Sequence, residues 1–169
     1  MSRSASPGRV ASPRRPGASD YRFVTRWSVP APAGRVWREL TDPVAVPTWW
    51  PGFERVDVVR PGDETGLGTV CDCRVRSTLP MTLRFRLEVV RADPAHRVLE
   101  SVASGELEGR GRMTLTAAAG ATDVEWLWEV HAAKRAIRLL SPVLKPVFER
   151  NHDRVMTWGR DALVARLAD

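Results

Sequence analysis

A chain of 169 residues, 43% of them hydrophobic, suits one domain and can bury a sizeable core without disulfide or metal staples. Two cysteines, three histidines and a net charge of +6 exclude a disulfide scaffold and a dense metal-ligand pattern, and no run of 18 apolar residues is present to form a transmembrane helix. Seven tryptophans against one tyrosine put aromatic area either into a core or around a pocket, since each buried indole removes about 150–250 Å² from water.

Residues 1–19 carry Arg3, Arg9, Arg14 and Arg15 and no acid, which leaves +2 for the remainder. With few large apolar side chains, this segment reads as a disordered basic extension rich in Pro, Ser, Arg and Gly. It has no apolar h-region, and no hydrophobic run follows Arg14-Arg15, so the expected location is cytoplasmic. The folded domain is expected over residues 20–169.

Residues 21–29 alternate, with Tyr21, Phe23, Thr25, Trp27 and Val29 on one face, as a half-buried strand requires. Residues 32–41 read as a short helix with Pro32 in its first turn. Asp42-Pro43 reads as the cap and first position of a second one, which Pro47 disturbs before it ends at Trp49-Trp50-Pro51-Gly52. Strands are expected at 53–60, 67–77, 81–92, 97–105, 107–117 and 122–132, joined by short turns that favour antiparallel pairing. Ser141-Pro142 reads as the start of a long helix, with Pro146 a point for a bend. Its stripe of Leu144, Phe148, His152, Val155, Met156, Gly159, Leu163 and Leu167 is apolar at helical spacing. Asn151 and Asp153 are expected to project away from that stripe.

The order is strand, two short helices, six strands, long helix. An antiparallel sheet with one apolar face needs a cover, and the final helix is the only long one. The strings VWRELTDP at 36–43, WWPGFERV at 49–56, ASGELEGRGRMTL at 103–115, VEWLWEV at 124–130 and ERNHDRVMTWG at 149–159, in this order and spacing, resemble the polyketide cyclase/dehydrase-like branch of the START-like (SRPBCC) helix-grip superfamily. The resemblance covers about residues 20–168. It implies an α+β fold in which a seven-stranded curved antiparallel sheet wraps a long C-terminal helix. It also implies a cavity between sheet and helix for a polyketide-, lipid- or aromatic-like molecule, and no cofactor.

The candidate wall of that cavity comprises Trp49, Trp50, Phe53, Phe85, Met113, Trp126, Trp128, Phe148, His152 and Met156. Trp49 and Trp50 form either a lid or a seal on the core. Trp126 and Trp128 point inward, as core or as ligand wall. Gly109 and Gly111 make room for those rings or for a ligand, or mark a bulge. His152 is the natural acid or base of such a space, or else a satisfied core residue. Glu100 pairs with it if its strand turns that residue inward, and is a solvent residue if not. Cys71 and Cys73 read as small buried thiols, and no metal site is expected.

Three functions fit. The first is binding of a hydrophobic small molecule. The second is a polyketide cyclase, aromatase or dehydratase that uses a cavity acid–base group. The third is a protein-interaction module such as a chaperone helper. No specific nucleic-acid partner and no integral membrane association are expected, and the sequence leaves oligomeric state open.

Overall fold

The computed structural model describes residues 20–76, 82–132 and 135–168, except the side chains of residue 20 and of residues 132–145. The elements in order are β1 (Asp20–Val29), α1 (Ala33–Thr41), α2 (Val46–Trp49), β2 (Phe53–Arg60), β3 (Val70–Arg76), β4 (Thr82–Asp93), β5 (Val98–Gly105), β6 (Leu107–Ala118), β7 (Ala121–Ala132) and α3 (Arg135–Leu167). The seven strands form one sheet in the order β1-β7-β6-β5-β4-β3-β2, so β1 and β2 are its edges. All described pairings are antiparallel. This is the helix-grip architecture that the sequence pattern predicts. The basic extension expected at residues 1–19 lies outside the described residues.

Alternation places the apolar residues inward. Tyr21, Trp27 and Val29 are buried while Arg22, Val24, Arg26 and Ser28 between them are exposed. The outer face carries cross-strand ion pairs: Arg22 with Glu129 at 3.1 Å, Arg26 with Glu125 at 2.8 Å, and Arg86 with Asp72 at 2.7 Å. Each such exposed pair is worth only about 0–1 kcal/mol. Their larger role is register, because a one-residue slip would turn a whole row of charges into the core.

Two boundaries differ from expectation. Asp42 does cap a turn, its Oδ1 accepting Val44 N–H at 3.0 Å and Ala45 N–H at 3.1 Å. The helix proper nevertheless begins only at Val46, so Pro47 falls in its first turn, where it disturbs nothing. The long helix begins at Arg135 rather than at Ser141, and it continues through Pro142 and Pro146. A proline inside a helix forfeits one backbone hydrogen bond. The strong helix formers before Ser141, two arginines, two leucines and an alanine, carry the helix past that loss.

α3 lies mainly against β1, β7 and the two short helices. Its fully buried row is Asn151, Val155, Gly159, Leu163 and Leu167, spaced four apart. A second row, Phe148, His152 and Met156, is only half-buried. Asn151 therefore belongs to the packed side and does not project away from it.

Candidate functional site

The space under α3 divides into a filled half and an accessible half. The filled half lies beside α1 and α2. There Trp27, Trp49, Trp50, Met113, Leu115, Val124 and Leu163 form one buried cluster, with Trp126, Phe53 and Met156 packed against it. Trp50 is its centre: its ring centroid is 5.2 Å from Trp27, 5.5 Å from Trp49, 5.1 Å from Phe53 and 6.0 Å from Trp126. The Trp50 indole donates to the Val155 carbonyl at 2.9 Å. Only a glycine at 159 permits this, since a Cβ there would sit 2.6 Å from Trp50 Nε1. Trp49 and Trp50, at 8% and 5% exposure, thus pack into the core. Thr122 ties β7 to the segment after β1 through a buried 2.7 Å bond to the Ala31 carbonyl.

The accessible half lies over β1, β7, β4 and the Phe148–His152 turn of α3. Phe23, Leu83, Phe85, Leu87 and Trp128 alternate onto the concave side and Phe148 comes from α3, yet none of them is fully buried. Apolar side chains beneath a covering helix normally bury completely; these stay only partly buried. Aromatic contacts line this half. Phe85 meets Trp128 at 6.2 Å, Tyr21 stacks on Phe23 at 5.9 Å and meets Phe148 edge-on at 5.9 Å. Phe23 and Trp128 stand opposite one another in the β1–β7 register.

The two inward glycines have separate causes. A Cβ at 111 would come within 2.6 Å of the Trp128 ring, so Gly111 makes room for that indole. Gly109 has φ of 153° and lets the β7 backbone at Glu129 and Val130 approach. Neither residue interrupts the strand register, so neither marks a bulge.

His152 borders the accessible half. Its ring stacks on Phe23 with centroids 3.9 Å apart and planes 9° from parallel. Burial pushes its pKa below the ordinary 6.5, and neighbouring Asp153 pulls more weakly the other way. Asp153 Oδ1 is 3.5 Å from Nδ1, too far for a good hydrogen bond, and Nδ1 is buried without a hydrogen-bond partner. The conditional acid–base partner, Glu100, does not come to it. Glu100 sits on the outer face, 3.2 Å from Arg91 and 3.7 Å from Arg112. The strand alternation that turns Leu99 onto the core turns Glu100 out. Of the two alternatives for Glu100, the structure shows the solvent-facing one, so it does not pair with His152.

Cys71 and Cys73 are buried free thiols. Burial raises both, Cys73 to about 12, with Cys71 and Asp72 adding smaller pushes there. Among the described residues no group of three or more His, Cys, Asp or Glu is placed to hold a metal ion, and no helix is long and apolar enough to cross a membrane.

Of the candidate wall residues, Phe85, Trp128, Phe148 and His152 come together around the accessible half. Trp49, Trp50, Phe53, Met113, Trp126 and Met156 belong to the packed cluster, Trp126 and Met156 at its border. Phe23 was missed, although its place on the inward face of β1 was legible from alternation. A surface hollow of about 780 Å³ lies elsewhere, on the outer side of β1, β7 and β6, with Arg26, Arg112, Asp123 and Glu125 beside Trp27, Val124 and Leu127. Its lining mixes charged and apolar side chains, with Arg26 and Glu125 paired at 2.8 Å.

A family model described as polyketide cyclase/dehydrase and lipid transport matches residues 21–168. No curated protein matches the chain in sequence. Among solved structures, a START superfamily protein from Mycobacterium smegmatis superposes with a TM-score of 0.69 at 14% identity, covering 87% of this chain and 97% of its own. The Zhui aromatase/cyclase from Streptomyces sp. R1128 gives 0.66 at 17% identity, with 88% and 94% covered. A norcoclaurine synthase point mutant from Thalictrum flavum, in complex with a transition-state analogue, gives 0.59 at 16% identity, with 88% and 94% covered. At these identities the likeness is one of fold.

Proposed function

The chain belongs to the polyketide cyclase/dehydrase and lipid transport family, and we propose that it binds a hydrophobic, ring-bearing small molecule on the concave side of the sheet, beneath α3. The observation that carries this reading is the set of apolar side chains that stay only partly buried between sheet and helix, Phe23, Phe85, Leu87 and Trp128 on the strands and Phe148 on α3. Covering them with an apolar guest releases about 25 cal/mol per Å². Flat aromatic walls favour a flat guest, because offset stacking and edge contacts add about 0.5–1.5 kcal/mol per ring pair.

The test is native mass spectrometry of the purified protein, followed by titration with the apolar dye 1-anilinonaphthalene-8-sulfonate. The expected result is one bound equivalent, or displacement of a co-purified compound by the dye. Leu87→Trp fills the accessible half from a half-exposed position. It should leave the fold intact by circular dichroism and weaken dye binding at least roughly tenfold, about 1.4 kcal/mol. A wild-type protein that arrives empty and binds no dye would overturn the proposal.

A second reading, acid–base turnover of the bound molecule, has one observation in its favour: a neutral imidazole, His152, stands at the edge of the accessible half with an unpartnered Nδ1. Loss of turnover in His152→Ala with ligand affinity retained would support it.

A further inference from the structure

The outer face of the sheet carries two rows of like charge beside its β2 edge. Arg55 of β2 stands opposite Arg74 of β3, and Arg74 stands opposite Arg84 of β4. Two residues along, Asp57 stands opposite Asp72. Like charges directly opposite one another weaken a sheet. Relief within the chain is partial. Arg55 reaches Asp57 at 2.7 Å and Arg86 reaches Asp72 at 2.7 Å. The Arg74 and Arg84 guanidiniums make no ion pair among the described residues. β2 is also an edge strand, and β3 and α2 are the elements that it mainly touches. Its Val58 and Val59 are 39% and 52% exposed. Its register with β3 shifts between Phe53 and Arg55 and again between Val58 and Arg60, which leaves residues 55–58 regular. Such a stretch offers unpaired backbone groups to another strand.

We propose that β2 pairs antiparallel with the β2 of a second copy of this chain, about a twofold axis at Val56. In this register Arg55 faces the partner's Asp57, and Asp57 faces the partner's Arg55. The row Arg84-Arg74-Arg55 then runs end-on into the partner's Asp57-Asp72 row, and the axis repeats the match. On the concave side Val56 meets its own copy, with Val58 diagonal to it, so exposed apolar surface is covered. Two seven-stranded sheets are thereby joined edge to edge. The charges select this register. Moving the axis by one residue sets either Asp57 or Arg55 against its own copy. The other edge, β1, offers no such match. Its outward Arg22 and Arg26 are closed by Glu129 and Glu125 of β7, α3 packs on it, and a pairing centred on Val24 sets Arg22 against Arg26.

Sedimentation velocity of the full chain over a concentration series tests the proposal. A stretch this short makes a modest interface, so the wild type should dimerise at micromolar concentration, and a wild type that stays monomeric up to millimolar concentration overturns the proposal. Arg55→Asp sets acid against acid across the axis, and Asp57→Arg sets arginine against arginine. Each variant alone should dimerise at least roughly tenfold more weakly. Mixed in equal amounts they should form a heterodimer, because every opposed pair again joins unlike charges. Single variants that dimerise as the wild type does, or a mixture that stays monomeric, overturn the proposal. Circular dichroism checks that each variant folds. Should either fail to fold, cross-linking decides. Val56→Cys should give a covalent dimer on mild oxidation, since the axis holds position 56 against itself with Cα atoms about 4.5–5.5 Å apart. Asp57→Cys should not, because its two copies lie beyond the roughly 7 Å limit for a disulfide. The native Cys71 and Cys73 are buried and do not compete. Equal cross-linking of the two variants, or of neither, overturns the proposal.

Discussion

Single side chains set the character of this interior. Gly159 is the seat of the Trp50 indole, so Gly159→Ala forces the ring off its place and breaks its bond to Val155. Overpacking of this kind costs about 1–3 kcal/mol, and thermal unfolding should show a lower Tm with the fold retained. His152 makes stability depend on pH. Its folded-state pKa is depressed by burial, so below the unfolded value of 6.5 the unfolded chain binds a proton that the folded chain refuses. Stability is therefore full above that pH and declines as pH falls through it toward the folded-state pKa. The Tm of the wild type should drop between pH of about 7 and 5 more steeply than that of His152→Phe; parallel curves would remove His152 from the account. Cys71 and Cys73, buried and raised, should ignore a thiol reagent such as Ellman's until the protein unfolds.

At the scale of elements, strand alternation and helical spacing each told part of the story. The inward faces of β1, β4, β6 and β7 were legible because period two is a strong signal when one face is wet. The start of α3 was not legible, because Ser141-Pro142 has the chemistry of a cap and a helix can nonetheless run through it. Asn151 was misplaced for a related reason. Its polar side chain argues for solvent, while the strict four-residue row of Val155, Gly159, Leu163 and Leu167 argues for burial, and the packing won. Glu100 could not be placed from its own strand, since Val98 to Gly105 does not alternate cleanly. The arginines that hold it lie on β4 and β6, out of reach of any local pattern. Leu163, fully buried in the packed row of α3, carries the helix onto the core, and Leu163→Ala should cost about 2–5 kcal/mol by denaturant unfolding.

For the molecule as a whole, the seven tryptophans pointed to a core or to a pocket, and the structure uses them for both. Trp27, Trp49 and Trp50 fill one half of the interior, Trp126 stands at the border, and Trp128 lines the other half. Sequence alone could not divide these five indoles this way, because all of them fall on inward strand faces or at the end of α2. What separates them is where α3 lies, and that is set by its contacts with β1, β7 and the short helices. On this one-sided sheet, apolar side chains of β1, β4 and β7 stay only partly buried among the described residues. Fluorine NMR of the protein labelled with 5-fluorotryptophan reads both halves at once, in the presence and absence of 9-fluorenone. The account predicts that the Trp128 signal shifts on addition while that of Trp37, on α1, stays in place; a shift confined to Trp37, or no shift at all, would contradict it.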